Sequence, residues 1–320
     1  MQTKIKLILL LVVYCFSTQQ SQAWTPYGHI KYNLSHIDYP AHAVSAQPGD
    51  DQQSFNSIQL RLALDSQWQS LSTEIHYELT VLRSNNPYFP AGIDRDRFRA
   101  LDLTDVVREE QNSYIDQRLD RLSVGYTADH LVFRLGRQAV SWGNGLVFHP
   151  MDILSPFDPV AIDKDYKPGD DMLYAQWLIN SIRDIQLIAL PRRNITGQLD
   201  SQNGSLGLKL HTMIAAGEMD LLLARHYDQS LLGLGYVHSV LDAIWRFDVV
   251  VIELNNNQHV TSFITNLDYS WLWLEHNIYG FVEYFHSGFG EEYSTSPLNA
   301  ELINRLSRGE LFTMTKDYLA

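Results

Sequence analysis

Charged side chains recur at alternate positions inside apolar stretches. Arg61 and Asp65 are interleaved with Leu60, Leu62 and Leu64, and Glu74, His76 and Glu78 with Thr73, Ile75, Tyr77 and Leu79. Arg121 precedes Leu122, Arg134 precedes Leu135, Lys209 lies between Leu208 and Leu210, and Arg246 and Asp248 flank Phe247. Fixed charges of both signs in such rows suit the lining of a wet passage, where they would set preference among ions and polar solutes. A second concentration of charge lies in Gly143–Asp171, which holds Asp152, Asp158, Asp163, Asp165, Asp170 and Asp171 with Lys164 and Lys167. Two readings of this segment stand side by side. It folds into the mouth of a channel and narrows it, with Arg121, Arg134 and Arg137 meeting its carboxylates, or it is a solvated loop whose turns support a rim. The pore-lining and constriction candidates are Arg61, Glu74, Glu78, Arg121, Arg134, Arg137, Asp152, Asp158, Asp163 and Arg246.

Other chemistry fits less well. His286-Ser287 suggests a serine hydrolase, but a nucleophile needs a base within hydrogen-bond reach and an orienting third group. Adjacent strand residues point to opposite faces, so only a loop conformation would bring this pair together. Gly143-Asn144-Gly145 and Gly288-Phe289-Gly290 lack the strand–helix setting of a nucleotide fingerprint and read as turns. The twelve histidines show no metal-ligand spacing, and the aspartates of 163–171 lack the ligand order of an EF-hand. No catalytic residue, metal site or cofactor is expected.

The elements that must carry these charges are strands. Side chains alternate between two faces with period two in Ile58–Asp65, Leu71–Val81, Leu122–Tyr126, Leu131–Gly136, Ser205–His211, Trp245–Val251 and Phe263–Trp271. Weaker patterns near His29–Tyr39, Met172–Leu178, Asp184–Leu190, Glu218–Arg225, Leu231–His238 and Ile278–Phe285 bring the expectation to about thirteen strands. Connections alternate between short (around 66–70, 128–130, 180–183, 213–217 and 239–242) and long (83–117, 143–171, 191–204, 253–259 and 286–308). That rhythm belongs to an antiparallel transmembrane β-barrel. Trp68, Tyr126, Trp177, Trp245, Tyr269, Trp271, Trp273 and Tyr284 gather near expected strand ends, where an interfacial girdle would lie. A soluble β-sandwich also alternates, but with more evenly short loops.

Lys4 and Lys6, the apolar run Leu7–Phe16 and Ser21-Gln22-Ala23 read as a signal peptide over residues 1–23, with the barrel over 24–320. Cys15, the only cysteine, lies in that apolar run, so the exported chain would hold neither disulfide nor thiolate site. The net charge of −13 becomes about −15 without the two signal lysines, which argues against nucleic acid as a partner. The chain stops at Lys316–Ala320 in what reads as the opening of another strand, with no terminal aromatic. The barrel is therefore expected to be incomplete at its C-terminus.

One stretch carries a resemblance. Arg134-Leu135-Gly136-Arg137-Gln138-Ala139-Val140-Ser141-Trp142-Gly143, then Asp152-Ile153-Leu154-Ser155-Pro156-Phe157-Asp158-Pro159, preceded by Arg118-Leu119-Asp120-Arg121-Leu122, resembles uncharacterised proteobacterial outer-membrane β-barrels of the broad porin and alginate-export-like group. The match covers about residues 118–171, and the remainder agrees only in strand rhythm. The resemblance implies an outer-membrane barrel and no particular substrate. Within it Gly136 would admit a close neighbour, Trp142 would mark the membrane rim, and Gly143 and Gly145 would turn the chain into the long loop.

The expected function is a porin-like outer-membrane channel for small hydrophilic solutes or ions. The alternatives are an export or scaffold component of an envelope transport system and a barrel-borne lipid hydrolase. Expected partners are outer-membrane lipid and lipopolysaccharide, the barrel assembly machinery and small solutes, with the oligomeric state open. On this reading Leu62→Arg impairs insertion, whereas Arg61→Leu is tolerated and alters conductance.

Overall fold

A computed structural model describes residues 23–38, 52–85, 96–154, 156, 166–291, 300–311, 313 and 315–320. The expected signal peptide, apart from Ala23, and the sequence around Asp158 and Asp163 lie outside them. Among these described residues, one antiparallel sheet of fifteen strands makes up almost the whole fold. Its strands are β1 (Ala23–Asp38), β2 (Gln52–Trp68), β3 (Leu71–Ser84), β4 (Thr104–Glu110), β5 (Ser113–Thr127), β6 (Leu131–Gln138), β7 (Asp170–Asn180) and β8 (Arg183–Arg193). They continue with β9 (Leu199–Ile214), β10 (Gly217–His226), β11 (Gln229–Val240), β12 (Ala243–Glu253), β13 (His259–Trp273), β14 (His276–His286) and β15 (Asp317–Leu319). Among the described residues one helix, α1 (Ala300–Ser307), lies between β14 and β15. Each strand pairs with its sequence neighbour, except that β3 and β4 both pair with β5. Among the described residues no register joins β1 to β14 or β15.

The described residues form fifteen strands where about thirteen were expected. β4 is hidden in the expected 83–117 loop because Thr104–Glu110 is mostly charged and offers too little contrast to alternate. β15 is the strand whose opening was read at the chain's end.

The sheet must curl. β6 and β14 are eight strands apart, or roughly 38 Å across a flat sheet at ~4.8 Å per strand. Yet Leu146, eight residues past the end of β6, donates its backbone N–H to Glu283 of β14 at 2.6 Å. Eight residues reach at most about 28 Å when extended, and this segment turns back at Gly143 (φ 109°). Only a wall bent round the segment satisfies both distances.

The two faces are chemically opposite. Outward positions hold Ile30, Tyr32, Leu34, Ile58, Leu62, Val124, Leu135, Leu206, Leu208, Leu221, Leu223, Leu232 and Leu267, all exposed. Inward positions hold Arg61, Glu78, Arg118, Asp120, Lys209, Asp220, Asp248, Asn266 and Glu283, all buried. An apolar face this broad has no counterpart on a soluble monomer. Tight turns join β2–β3, β5–β6, β7–β8, β9–β10, β11–β12 and β13–β14 on one rim; the long connections leave the other, where β4–β5 and β10–β11 are also joined tightly. The girdle candidates other than Tyr284 all lie near the tight-turn rim.

Leu62 is half-exposed on the outer face, and a cation there would cost about 2–4 kcal/mol near a bilayer midplane. Leu62→Arg should lower the yield of heat-modifiable, membrane-inserted protein, while Leu62→Ile should leave it unchanged; gel shift of membrane fractions checks this.

Candidate functional site

The inner face of β2, β3 and β5 carries an ionic lattice. Arg61 donates to Glu78 at 2.5 Å and to Asp120 at 2.8 Å. Arg118 grips Glu78 with two nitrogens at 2.9 and 3.1 Å. Arg121 reaches Asp120 at 2.7 Å. A β-bulge builds this junction. Opposite His76 and Tyr77, the register of β5 jumps from Arg121 to Leu119, leaving Asp120 as the extra residue. A bulge places two consecutive side chains on one face, so Asp120 and Arg121 both point inward. Bidentate, charge-assisted contacts of this kind are the geometry in which buried ions compensate one another's desolvation.

The chain between β6 and β7 enters the space inside the wall. Gly136 (φ 120°) sits so close to β5 that a Cβ would collide with the Leu122 carbonyl, as the close approach expected there requires. Beyond it Arg137, fully buried, joins Asp171 at 2.9 Å and Asp96 at 3.0 Å, and donates to the Leu101 carbonyl at 2.7 Å. Burial opposes ionisation of Asp96, but Arg137 and Arg99 outweigh it and hold this carboxyl below its usual range. Trp142 stacks over Gly207, where a Cβ would meet its ring at 2.8 Å, and donates its indole N–H to Gln186 at 2.8 Å. Trp142, Met151 and Leu154 pack against Met172, Tyr174, Ile188, Leu190, Leu222, Leu231, Val250 and Ile252. The wall from β7 to β12 thus has an apolar inner surface under this segment. Trp142 is therefore no rim marker, because it is buried inside the wall.

Past this apolar contact the segment is fastened to the far wall. Asn144 donates its backbone and side-chain N–H groups to Asp248 of β12 at 2.6 and 2.7 Å. The backbone N–H groups of Leu146, Val147 and Phe148 converge on Glu283 at 2.6, 3.1 and 2.8 Å, with Asn266 donating at 2.9 Å. Phe148 stacks on Phe285 at 4.7 Å. On the return path Lys167 reaches Asp152 at 2.5 Å and the Val140 carbonyl at 2.6 Å. Burial pushes the Asp152 carboxyl up to about 7 against the pull of Lys167. Tyr166 lies on the Arg61 guanidinium, 4.3 Å from its ring centre, and Gly169 donates to Asp120 at 3.2 Å. The segment therefore touches both the ionic lattice and the opposite wall.

The structure brings together Arg61, Glu78 and Arg121 in the lattice, and places Arg137 and Asp152 on the entering segment's path. The expected contact between three arginines and the segment's acids is corrected. Arg121 meets Asp120 of its own strand and the Lys167 carbonyl at 2.5 Å. Arg134 lies over the Tyr174 ring at 4.8 Å. Of the three, Arg137 alone meets an expected acid, Asp171. Glu74 is half-buried and accepts from Ser123 at 3.4 Å, and Arg246 pairs with Asp268. Asp158 and Asp163 lie outside the described residues. Arg118, Asp120, Asp248 and Glu283 are central here and were not among the candidates. Among the described residues no cluster of acids, cysteines or histidines forms a metal site. His286 bonds Asp317 at 2.8 Å, not Ser287.

No protein-family model matches the chain, and no curated protein does. Among solved structures, OccAB4 of Acinetobacter baumannii superposes with a TM-score of 0.50 at 8% identity, over 84% of this chain and 68% of that one. OccK8 (OprE) of Pseudomonas aeruginosa gives 0.46 at 7% identity over 83% and 68%, and OprB of Pseudomonas putida 0.43 at 10% over 82% and 77%. These are outer-membrane porins. At such identities the likeness to OccAB4 is one of fold: this chain has the fold of a porin β-barrel wall.

The lattice revises one expectation. Arg61 is 2% exposed, and its loss would remove one of the cations that Glu78 and Asp120 share, leaving them Arg118 and Arg121. Removing the sole partner of a buried ion costs about 3–5 kcal/mol, and the remaining arginines reduce that cost here. Arg61→Leu should therefore destabilise the folded wall, and a double-mutant cycle with Glu78→Gln on urea unfolding should show coupling above roughly 0.5 kcal/mol.

Proposed function

We propose that this protein is a porin-like channel of the Gram-negative outer membrane, passing small hydrophilic solutes or ions through a lumen narrowed by residues 140–154. The observation that carries the proposal is the fastening of this segment across the inside of the wall. It leaves β6 and ends on Asp248 and Glu283 of the opposite strands, within a sheet whose outer face is apolar. A segment so placed must divide the cross-section, and the charges beside it are those a passing ion meets. The motif spanning residues 118–171 supports placing the chain near the porin and alginate-export-like group. The wall is lipid-facing on this reading, because an apolar outer face with a polar inner one is what closed β-structure needs to cross a bilayer.

No catalytic role is assigned. The histidine of the one dyad that invited a hydrolase reading is committed to Asp317, and the Ser287 hydroxyl is buried. One observation favours the export or scaffold alternative. The apolar packing of Trp142, Met151 and Leu154 against β7–β12 fills part of the interior with dry contacts.

Planar-bilayer recording decides between the two. The channel reading expects stable unitary openings from purified protein, and a filled scaffold gives none. Glu283→Gln removes the charge that collects three backbone amides, each charge-assisted bond being worth roughly 1.5–3 kcal/mol. It should raise unitary conductance or add flicker between levels, while Ser262→Ala on the neighbouring strand should change neither.

A further inference from the structure

The tight-turn rim is not uniform. At its β2–β3 and β5–β6 turns the connecting residues are Gln69-Ser70 and Ala128-Asp129-His130. At the four consecutive turns from β7 to β14 each two-residue connection carries at least one apolar side chain. Ile179 precedes the first, Ser181-Ile182; Met213 and Ile214 lead into the second, Ala215-Ala216; and Val240 leads into the third, Leu241-Asp242. Trp271-Leu272-Trp273 at the end of β13 leads into the fourth, Leu274-Glu275, and its successive side chains point to both faces of the strand. Leu241 is 96% exposed, Leu274 78% and Leu272 74%.

A second, independent observation concerns backbone geometry. Ala215 and Ala216 (φ 52° and 60°), Leu241 (φ 57°), and Leu274 and Glu275 (φ 47° and 65°) occupy the left-handed region, as does Gln69 (φ 51°) at the β2–β3 turn. Two-residue hairpin turns of this kind favour Asn, Asp and Gly, which adopt positive φ at little cost. In water those residues would suit both the backbone and the solvent. Leucine and alanine strain the backbone and, if hydrated, leave apolar surface in water, so the surroundings of these tips must favour apolar groups. The tips continue directly from the apolar outer face through Trp177, Trp245, Tyr269, Trp271 and Trp273, residue types that settle at the membrane–water boundary. Asp242 and Glu275 stand beside Leu241 and Leu274, and the headgroup layer accommodates such charges whereas hydrocarbon does not.

We infer that the tight-turn rim from β7 to β14 is embedded in the phospholipid interface while the β2–β6 part of the same rim stands in water, so that the barrel sits unevenly in its bilayer. This rests on the lipid-facing reading of the outer wall. The test reads the two separately. Single cysteines are placed at Leu241→Cys, Leu274→Cys, Gln69→Cys and Asp129→Cys, with Leu208→Cys on the mid-wall as control, in protein produced without residues 1–23 and so without Cys15. Each is labelled with NBD in proteoliposomes of purified protein, where no protein partner is present. Labels at 241 and 274 should be quenched by nitroxide carried on lipid and shielded several-fold from aqueous iodide relative to 69 and 129. Equal iodide access at 241, 274, 69 and 129, with lipid quenching at 208 intact, overturns the uneven placement alone. Loss of lipid quenching at 208 overturns the membrane reading beneath it as well.

Discussion

Every charge that strand alternation turns inward must meet a partner, because an uncompensated ion in a poorly hydrated interior costs several kcal/mol. The rest of the structure follows from how this chain meets that condition. On β2, β3 and β5 the partners are other side chains. Arg61, Arg118 and Arg121 share Glu78 and Asp120, and the bulge at Asp120 places the shared carboxylate at the same level as the guanidinium groups. On β12 and β14 the inward acids, Asp248 and Glu283, meet no described cation. They are satisfied by the side chain of Asn144 or Asn266 and by backbone amides of residues 144–148.

That second solution explains why the segment after β6 lies inside. A loop with free N–H groups and a wall with free carboxylates are each poorly satisfied alone and well satisfied together. The apolar stretch between them works in the same direction. Trp142, Met151 and Leu154 would be exposed on an outward loop, and Met172, Ile188, Leu190, Leu222 and Val250 would line a wet lumen unshielded. Packing one set on the other removes both from water. The inner surface therefore has three zones, ionic, apolar and amide-satisfied acidic, and the segment contacts all of them.

Much of this was legible in the sequence where the two faces differ. In β2, β3, β9, β12 and β13 leucine, valine and aromatics alternate with charges, and the period of two identified each strand and its facing. Where the inner face is also apolar, as in β7, β8 and β11, the contrast fades and only weak strands could be read. β4 failed for the opposite reason, being polar on both faces. At the site, the alternation rule itself hid the bulge: Arg118 and Asp120 fall in phase with Leu122 and Val124, which contradicts a regular strand. That conflict was the available signal, since two charges on a lipid face are costly and an inserted residue removes them. Asp248 was read as lumen-facing, but nothing local in Glu283 or residues 144–148 announces contacts across more than 130 residues. Arg61 was read with the right facing and the wrong consequence, because alternation reports direction and not what the side chain meets.

The central claim is that residues 144–148 are held inside the wall by Glu283. Amide hydrogen exchange of these residues in detergent-solubilised protein tests it most directly. The N–H groups of Leu146, Val147 and Phe148 should be protected to a degree comparable with the flanking strands, and Glu283→Gln should release them selectively. Exchange at the rate of an unstructured peptide in the unaltered protein would mean that the segment lies outside the wall, and the account of the lumen would be wrong.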